Sequence, residues 1–115
     1  KPKGNPKLLI IVLQEPEHVD AISELFLESG VRGATVLEST GMRGVLSNVP
    51  LFADFFNFLG DAHSNSKTIM TIIAERQLSP LVRGVEDIVG DLDTHTGAMI
   101  FTLDVSFMKG SFEMI

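Results

Sequence analysis

The stretch that decides the fold runs from Gly30 to Met42 and reads GVRGATVLESTGM. Gly30 stands where a helical pattern stops, and a glycine in the left-handed conformation commonly follows the last turn of a helix. Thr35–Leu37 consists of residues that favour strands, and Gly41 then releases the chain into a long loop. The end of a helix, a strand and the start of a loop are therefore delimited within thirteen residues.

The sequence on both sides of this stretch predicts four strands and two main helices. In chain order they are a strand over Lys7–Gln14, a helix from Pro16 to Gly30, a strand over Val31–Ser39, a strand over Thr68–Ala74, a helix that starts at Ser79-Pro80 and a strand over Ala98–Val105. The apolar residues of the first helix recur at helical spacing and predict one stripe that packs on a sheet: Val19, Ile22, Leu25, Phe26 and Leu27. The order βαββαβ predicts an α+β fold, the ferredoxin-like sandwich.

A long connection, Thr40–Lys67, joins the second and third strands in this prediction. An extra short helix is predicted within it over Leu51–Gly60, followed by polar residues. Three aromatic residues share one face of that helix: Phe52, Phe55 and Phe56. A segment this apolar must be covered. One interpretation is that it packs on the chain's own sheet or on a neighbouring subunit, and the other is that it docks on a partner protein.

The composition indicates one domain over residues 1–115, with residues 1–6 as a flexible tail. With 15 acidic and 9 basic residues the formal net charge is −6, and no basic stripe is present to neutralise the phosphates of a nucleic acid. No apolar run is long enough to span a bilayer. Because there are no cysteines and no pair of the three histidines has metal-ligand spacing, we expect neither a metal site nor a resident cofactor. We expect the protein to lie in the cytoplasm.

The stretch from Gly30 to Met42 resembles the second strand of the PII signal-transduction proteins, with their pattern Gly-hydrophobic-x-Gly-x-Thr-Val-x-Glu-x-x-Gly-aromatic. Ile100–Val105 is similar to the Ile-Phe-Val-Phe-Asp-Val of that family's last strand. The resemblance implies a non-catalytic homotrimer that binds ATP or ADP in clefts between subunits, senses 2-oxoglutarate and docks on target proteins through the loop after the second strand. By position, Thr35 matches a family threonine near the adenine, and Gly41 matches the glycine at the base of that loop.

Three cations that hold the phosphates in the family are replaced in this chain. The family's Gly-Asp-Gly-Lys before the last strand falls on Thr96–Met99, so a thioether replaces the lysine. The two arginines after the last strand fall on Phe107 and Gly110, with Lys109 between them. Because a thioether cannot neutralise a phosphate, we expect a small anionic ligand, with a nucleotide as one candidate, rather than ATP bound in the family's manner.

Six residues are predicted to contact this ligand: Thr35, Gly41, Arg43, His95, Gly97 and Lys109. Arg43 lies between two glycines whose backbone N–H groups are expected to form an anion nest, and a guanidinium adds a bidentate partner. Lys109 is the second expected cationic partner. The alternatives are a plain turn with a solvated Arg43 and a surface loop around His95.

The sequence therefore predicts a PII-like regulatory protein, a homotrimer that passes ligand binding to a target protein through the loop over residues 40–67. One alternative is a small ferredoxin-like enzyme of the α+β-barrel monooxygenase or isomerase type, with a Phe-lined pocket. No buried acid–base pair that would support such an enzyme is identified. The other alternative is a PII-like scaffold whose ligand site has decayed.

Overall fold

The computed structural model describes residues 5–46, 49–51, 65–94 and 97–110, and only the backbone of residues 43–44. Its strands are β1 (Pro6–Leu13), β2 (Thr35–Thr40), β3 (Asn65–Ala74) and β4 (Ala98–Asp104). Its helices are α1 (Val19–Glu28), α2 (Met42–Leu46) and α3 (Leu78–Val89), and 3-10 turns at Pro16–His18 and Glu75–Gln77 precede α1 and α3. Within these ranges, no helix is both long and apolar enough to cross a membrane.

The four strands form one antiparallel sheet in the order β2-β3-β1-β4. β1 lies inside the sheet, where Leu9 faces Thr71 of β3 on one side and Thr102 of β4 on the other. An interior strand with apolar residues on both faces reads as a continuous apolar run, and β1 has this run. The ferredoxin-like α+β fold predicted from the sequence is confirmed.

The helices α1 and α3 cover one face of the sheet. Leu9, Ile11 and Leu13 of β1 alternate along the strand, and each is at most 1% exposed. They belong to one core with the other buried apolar residues: Ile22, Phe26, Val31, Ile69, Ile73, Leu81 and Val85. This core fastens both helices to the middle of the sheet, since burial of each large apolar side chain contributes about 1.5–3 kcal/mol.

The apolar stripe of α1 is narrower than the sequence pattern indicates. Ile22 and Phe26 are buried, but Leu27 is 56% exposed. Successive residues of a helix are separated by about 100°, so Leu27 points well away from the direction of Phe26. The expectation that Leu27 packs on the sheet is wrong.

The opposite face of the sheet, called the open face here, is also apolar. Directly paired residues of antiparallel strands share a face, which assigns nine apolar side chains to it: Leu8, Ile10, Val12, Leu37, Met70, Ile72, Met99, Phe101 and Leu103. On β4, Met99, Phe101 and Leu103 are 56%, 40% and 53% exposed. The open face is therefore accessible to a ligand or to another chain.

Two boundaries of the predicted elements move because polar residues join the sheet. Ser66, at the start of β3, pairs with Ser39 of β2, and their Oγ atoms are 2.6 Å apart. Ser39 Oγ is also 2.9 Å from Thr68 Oγ1. These hydroxyls satisfy one another, so polar residues that indicate a loop can extend a strand. The connection between β2 and β3 covers residues 41–64 instead of 40–67.

The start of α3 is set by Gln77 and not by a cap at Ser79. The Gln77 side chain accepts a hydrogen bond from the backbone N–H of Ala74 at 2.8 Å and donates one to the carbonyl of Ser29 at 3.2 Å. The helix then begins at Leu78. A proline such as Pro80 is tolerated here because the N–H groups of a first turn have no partner within the helix.

The connection after β2 begins with a helix where the sequence indicates turns. The backbone N–H of Val45 donates to the carbonyl of Gly41 at 3.2 Å, which starts α2. A glycine within a helix costs only about 1 kcal/mol relative to alanine, so Gly44 does not prevent it. The extra helix predicted over Leu51–Gly60 lies outside the described residues from position 52 onward. At the other end, Pro6 belongs to β1 and not to a tail.

The first prediction concerns Gly84, where α3 approaches α1 closely. A Cβ added to Gly84 would lie 2.5 Å from Leu25 Cδ1. Gly84→Ala should gain about 1 kcal/mol of helix propensity and lose at least that much to the clash with Leu25. In a Leu25→Ala background the same substitution should stabilise by about 1 kcal/mol. Chemical denaturation of the four proteins tests this, and effects that add within about 0.5 kcal/mol would contradict it.

The second prediction concerns the ion pair between Lys7 Nζ and Asp104 Oδ1, which are 2.5 Å apart. The hydrogen bond to Asp104 raises the pKa of Lys7 above its ordinary value of 10.5. A raised folded-state pKa adds stability that is fully present below 10.5 and is lost as the pH rises through the folded-state value. Wild type should therefore exceed Asp104→Asn in unfolding free energy near neutral pH, and the difference should close in alkali. A difference that stays constant across this range would refute the linkage.

Candidate functional site

A site forms where β2 separates from β3. The two strands are paired from Thr40 opposite Asn65 to Thr35 opposite Met70, but β3 continues to Ala74. Beyond Thr35 the segment over residues 31–34 leaves the ladder. The separation opens a gap beside an interior stretch of β3.

A buried hydroxyl holds the separated segment in place. Thr71 Oγ1 donates a hydrogen bond of 2.5 Å to the carbonyl of Gly33. Thr71 is 6% exposed, and its neighbours on the same face of β3 are Ile69 and Ile73. Because a buried hydroxyl needs a partner, this bond fixes the distance between residue 33 and β3 and so the width of the gap.

The gap is a pocket of about 150 Å³, called the Thr35 pocket, lined by Leu8, Gly33, Ala34, Thr35, Met70, Thr71 and Ile72. Its walls are apolar, and Leu8, Met70 and Ile72 belong to the open face. Thr35, which carries a hydroxyl, is the exposed polar residue in this lining. Apolar walls with a few placed polar groups suit a flat, mostly apolar ring that forms one or two hydrogen bonds.

The four predicted site residues that the structure describes do not converge within one chain. Thr35 lines the pocket, whereas Gly41 follows the opposite end of β2. Gly97 precedes β4, and its carbonyl accepts a hydrogen bond of 2.8 Å from the backbone N–H of Gln14. Since β3 and β1 lie between the edge strands, Gly41 and Gly97 are separated by about 14 Å, at ~4.8 Å per strand.

Lys109 is exposed and follows the C-terminal end of β4, whereas Gly97 precedes its N-terminal end. The seven residues of β4 span about 20 Å, at ~3.3 Å per residue. Glycine at position 97 has a φ of 74°, a left-handed value that other residues rarely adopt. Thr35, Gly41, Gly97 and Lys109 thus occupy separate parts of the sheet.

Several predicted residues cannot be placed. The side chain of Arg43 and all of His95 lie outside the described residues, as do the aromatic residues predicted to dock on a partner: Phe52, Phe55 and Phe56. The backbone of residue 43 is helical, which corrects the turn expected over Gly41–Gly44. The contribution of these residues to ligand binding stays a prediction.

Two features of the structure are not apparent in the sequence pattern: the partner of Thr71 and a group of ligating side chains before α1. Thr71 stands among apolar strand residues, and nothing in its spacing identifies Gly33 as its partner. Glu15, Glu17 and His18 bring their ligating atoms within 4.8 Å of one another in the turn before α1. His18 Nε2 and Glu15 Oε1 are 3.5 Å apart, a contact that needs no metal.

No protein-family model matches the chain, and no curated protein does. Among solved structures, a protein of unknown function from Pediococcus pentosaceus is 21% identical, with a TM-score of 0.62 over 95% of this chain and 100% of that one. CPII from Thiomonas intermedia bound to ADP, AMP and acetate is 21% identical, with a TM-score of 0.61 over 93% of each chain. CPII, a nitrogen regulatory PII-like protein, bound to ADP, AMP and bicarbonate is 20% identical, with a TM-score of 0.59 over 92% of this chain and 97% of that one. At these identities the likeness establishes a PII-like fold.

The third prediction tests the hydrogen bond that defines the pocket. Thr71→Val keeps the shape of the side chain but leaves the Gly33 carbonyl without its donor, which should cost about 1–2 kcal/mol of unfolding free energy. Amide hydrogen exchange of residues 34–36 should also accelerate. Thr71→Ser retains the hydroxyl and serves as the control. If both variants show the same exchange at residues 34–36, the hydroxyl does not hold the segment.

Proposed function

We propose that this chain is a PII-like, non-catalytic regulatory protein of the cytoplasm. It assembles as a homotrimer, binds a small anionic ligand between subunits and passes the signal to a target protein through residues 41–64. The observation that carries the proposal is the Thr35 pocket, which opens on the apolar sheet face of a PII-like fold.

The open face supports assembly. Its exposed apolar side chains, such as Phe101 and Leu103, would remain in water in a lone chain. Burying them removes apolar surface from water at about 25 cal/mol per Å². Association through this face places the Thr35 pocket close to a neighbouring subunit, because Leu8 and Met70 belong to both the pocket and the face.

The spread of the predicted ligand residues supports a cleft between chains. Gly97 and Lys109 flank opposite ends of β4, too far apart to contact one small ligand within one chain. Residues of two subunits can meet across an interface. A base would then enter the Thr35 pocket of one subunit, and Lys109 would approach its anionic part from another. Arg43 is the second cation proposed for the anion.

The chemistry of the pocket favours a nucleotide with few phosphates. The apolar walls of the Thr35 pocket suit the faces of an adenine, and the Thr35 hydroxyl suits its polar edge. Met99 and Phe107 stand at positions of family cations, and both are exposed apolar side chains. A second or third phosphate would therefore meet few additional positive charges on the protein. Both CPII structures contain ADP and AMP, together with acetate in one and bicarbonate in the other.

Signalling is assigned to the connection over residues 41–64. It begins at Gly41, six residues after Thr35, so β2 links the pocket to the base of the connection. Phe52, Phe55 and Phe56 are the residues proposed to engage the target. A segment that is ordered in one ligand state and released in the other is a common switch of this kind.

The fourth prediction tests the proposal on the full chain. Light scattering should give the mass of a trimer, and calorimetry should detect AMP or ADP, with ATP no more than about threefold tighter than AMP. Thr35→Val should weaken binding about tenfold, the loss of one hydrogen bond of ~1.4 kcal/mol. Arg43→Ala and Lys109→Ala should weaken AMP more than adenosine. Arg83→Ala, an exposed cation of α3, is the matched control and should leave binding unchanged.

Each other outcome has a defined meaning. A trimer that binds none of these nucleotides or acetate and bicarbonate would identify a scaffold whose ligand site has decayed. A dimer that responds only to apolar compounds would favour the enzyme class instead. Unchanged affinity in both Arg43→Ala and Lys109→Ala would show that the assignment of the anion partners is wrong.

A further inference from the structure

The outer layer of the protein carries a second pocket, on the helical side of the segment over residues 31–34. This Leu27 pocket has a volume of about 160 Å³ and is lined by Ser23, Phe26, Leu27, Val31, Arg32, Gly33 and Ala34. Phe26 and Val31 are only 3% and 5% exposed and belong to the core. Because the core fixes both residues, they form a rigid apolar floor.

Leu27 is the exception among the apolar residues of the helical layer. The other large apolar residues of α1 and α3 are buried or half-buried, whereas more than half of Leu27 is exposed. It stands at the rim of the pocket, next to the floor formed by Phe26. An exposed apolar rim over a preformed apolar floor has the character of an anchor site at a protein interface.

A row of carboxylates lies on α1, the helix that contributes Ser23, Phe26 and Leu27 to the pocket. Asp20, Glu24 and Glu28 are exposed and recur every four residues, so they follow one side of α1. Residues three or four apart are neighbours on a helix surface, which places Glu24 beside Leu27. α1 contains no basic residue, and Arg32 is the one cationic residue that lines the pocket. The α1 surface beside the pocket therefore carries three carboxylates and no cation.

We infer that the Leu27 pocket and its acidic row form a docking surface for a basic segment of a partner protein. The segment inserts one large apolar side chain against Phe26 and Leu27 and places lysine or arginine residues along Asp20, Glu24 and Glu28. Charge complementarity selects this occupant, because a membrane surface or a nucleic acid is negative and would be repelled. This surface lies on the helical layer, so the inference is independent of the ligand proposed for the Thr35 pocket.

The size of the pocket agrees with a single anchor. Its volume of about 160 Å³ can hold one large apolar side chain. One side chain in a fixed apolar cavity, with charges at the rim, is the usual composition of an interface hot spot. The apolar anchor should set the affinity, and the carboxylates should set the association rate and the choice of partner.

The fifth prediction is tested by selecting peptides from a random display library on the full-length protein in its native assembly. The selected peptides should share a large apolar residue flanked by lysine or arginine. Leu27→Glu should weaken their binding at least tenfold, since it places a charge on the apolar rim. Glu24→Lys should weaken it several-fold, and so should higher salt. Asp87→Lys, on the exposed side of α3, makes the same change in net charge and should have little effect.

The contrary results are equally specific. Recovery of no binding peptide, enrichment of acidic peptides or equal binding to wild type and Leu27→Glu would overturn the inference. Light scattering of Leu27→Glu supplies a further check, because a lower mass would identify the surface as a contact between copies of this chain. Leu27→Glu should keep the thermal stability of wild type within a few degrees, as Leu27 lies largely outside the core.

Discussion

The structure depends on a single strand, β1, that is apolar on both faces and paired on both edges. Its hydrogen bonds to β3 and β4 hold the sheet together, and Leu9, Ile11 and Leu13 seat the two long helices. The same strand sends Leu8 and Ile10 to the open face. The long helices that the structure describes, α1 and α3, cover one side of the sheet, so the alternation within β1 creates both the core and the apolar open face.

The separation of residues 31–34 from β3, just before Thr35, also determines much of the structure. The backbone ladder gives way to one side-chain bond, from Thr71 to the carbonyl of Gly33. The freed segment is one chain thick and contains the small residues Gly33 and Ala34, so it borders two pockets. Gly33 and Ala34 line the Thr35 pocket on the open face and the Leu27 pocket on the helical side. A local failure of strand pairing thus produces both candidate binding sites.

The order of the elements can be predicted from the sequence because a long apolar pattern can be buried well in only one type of secondary structure. The run in β1 and the alternation in β4 each indicate a strand without reference to the rest of the chain. Element ends depend on tertiary partners instead. Ser66 extends β3 because Ser39 lies opposite it. The helix α3 starts after Gln77 because the Gln77 side chain forms hydrogen bonds with Ala74 and Ser29. Polar residues of this kind indicate a loop until their partners are known.

The candidate sites also combine features that can be predicted from the sequence with features that depend on tertiary contacts. Thr35 could be identified as a candidate from the resemblance to a family motif. The hydrogen bond of Thr71 to Gly33 can be recognised only in the folded chain. Leu27 is the most instructive error, since a count of apolar positions assigns it to the core. One side of α1 faces the core, and Phe26 lies on that side. Leu27 therefore stays exposed beside Glu24 and next to the apolar floor formed by Phe26 and Val31. This arrangement is the basis of the partner that we propose, which brings an apolar side chain and positive charge.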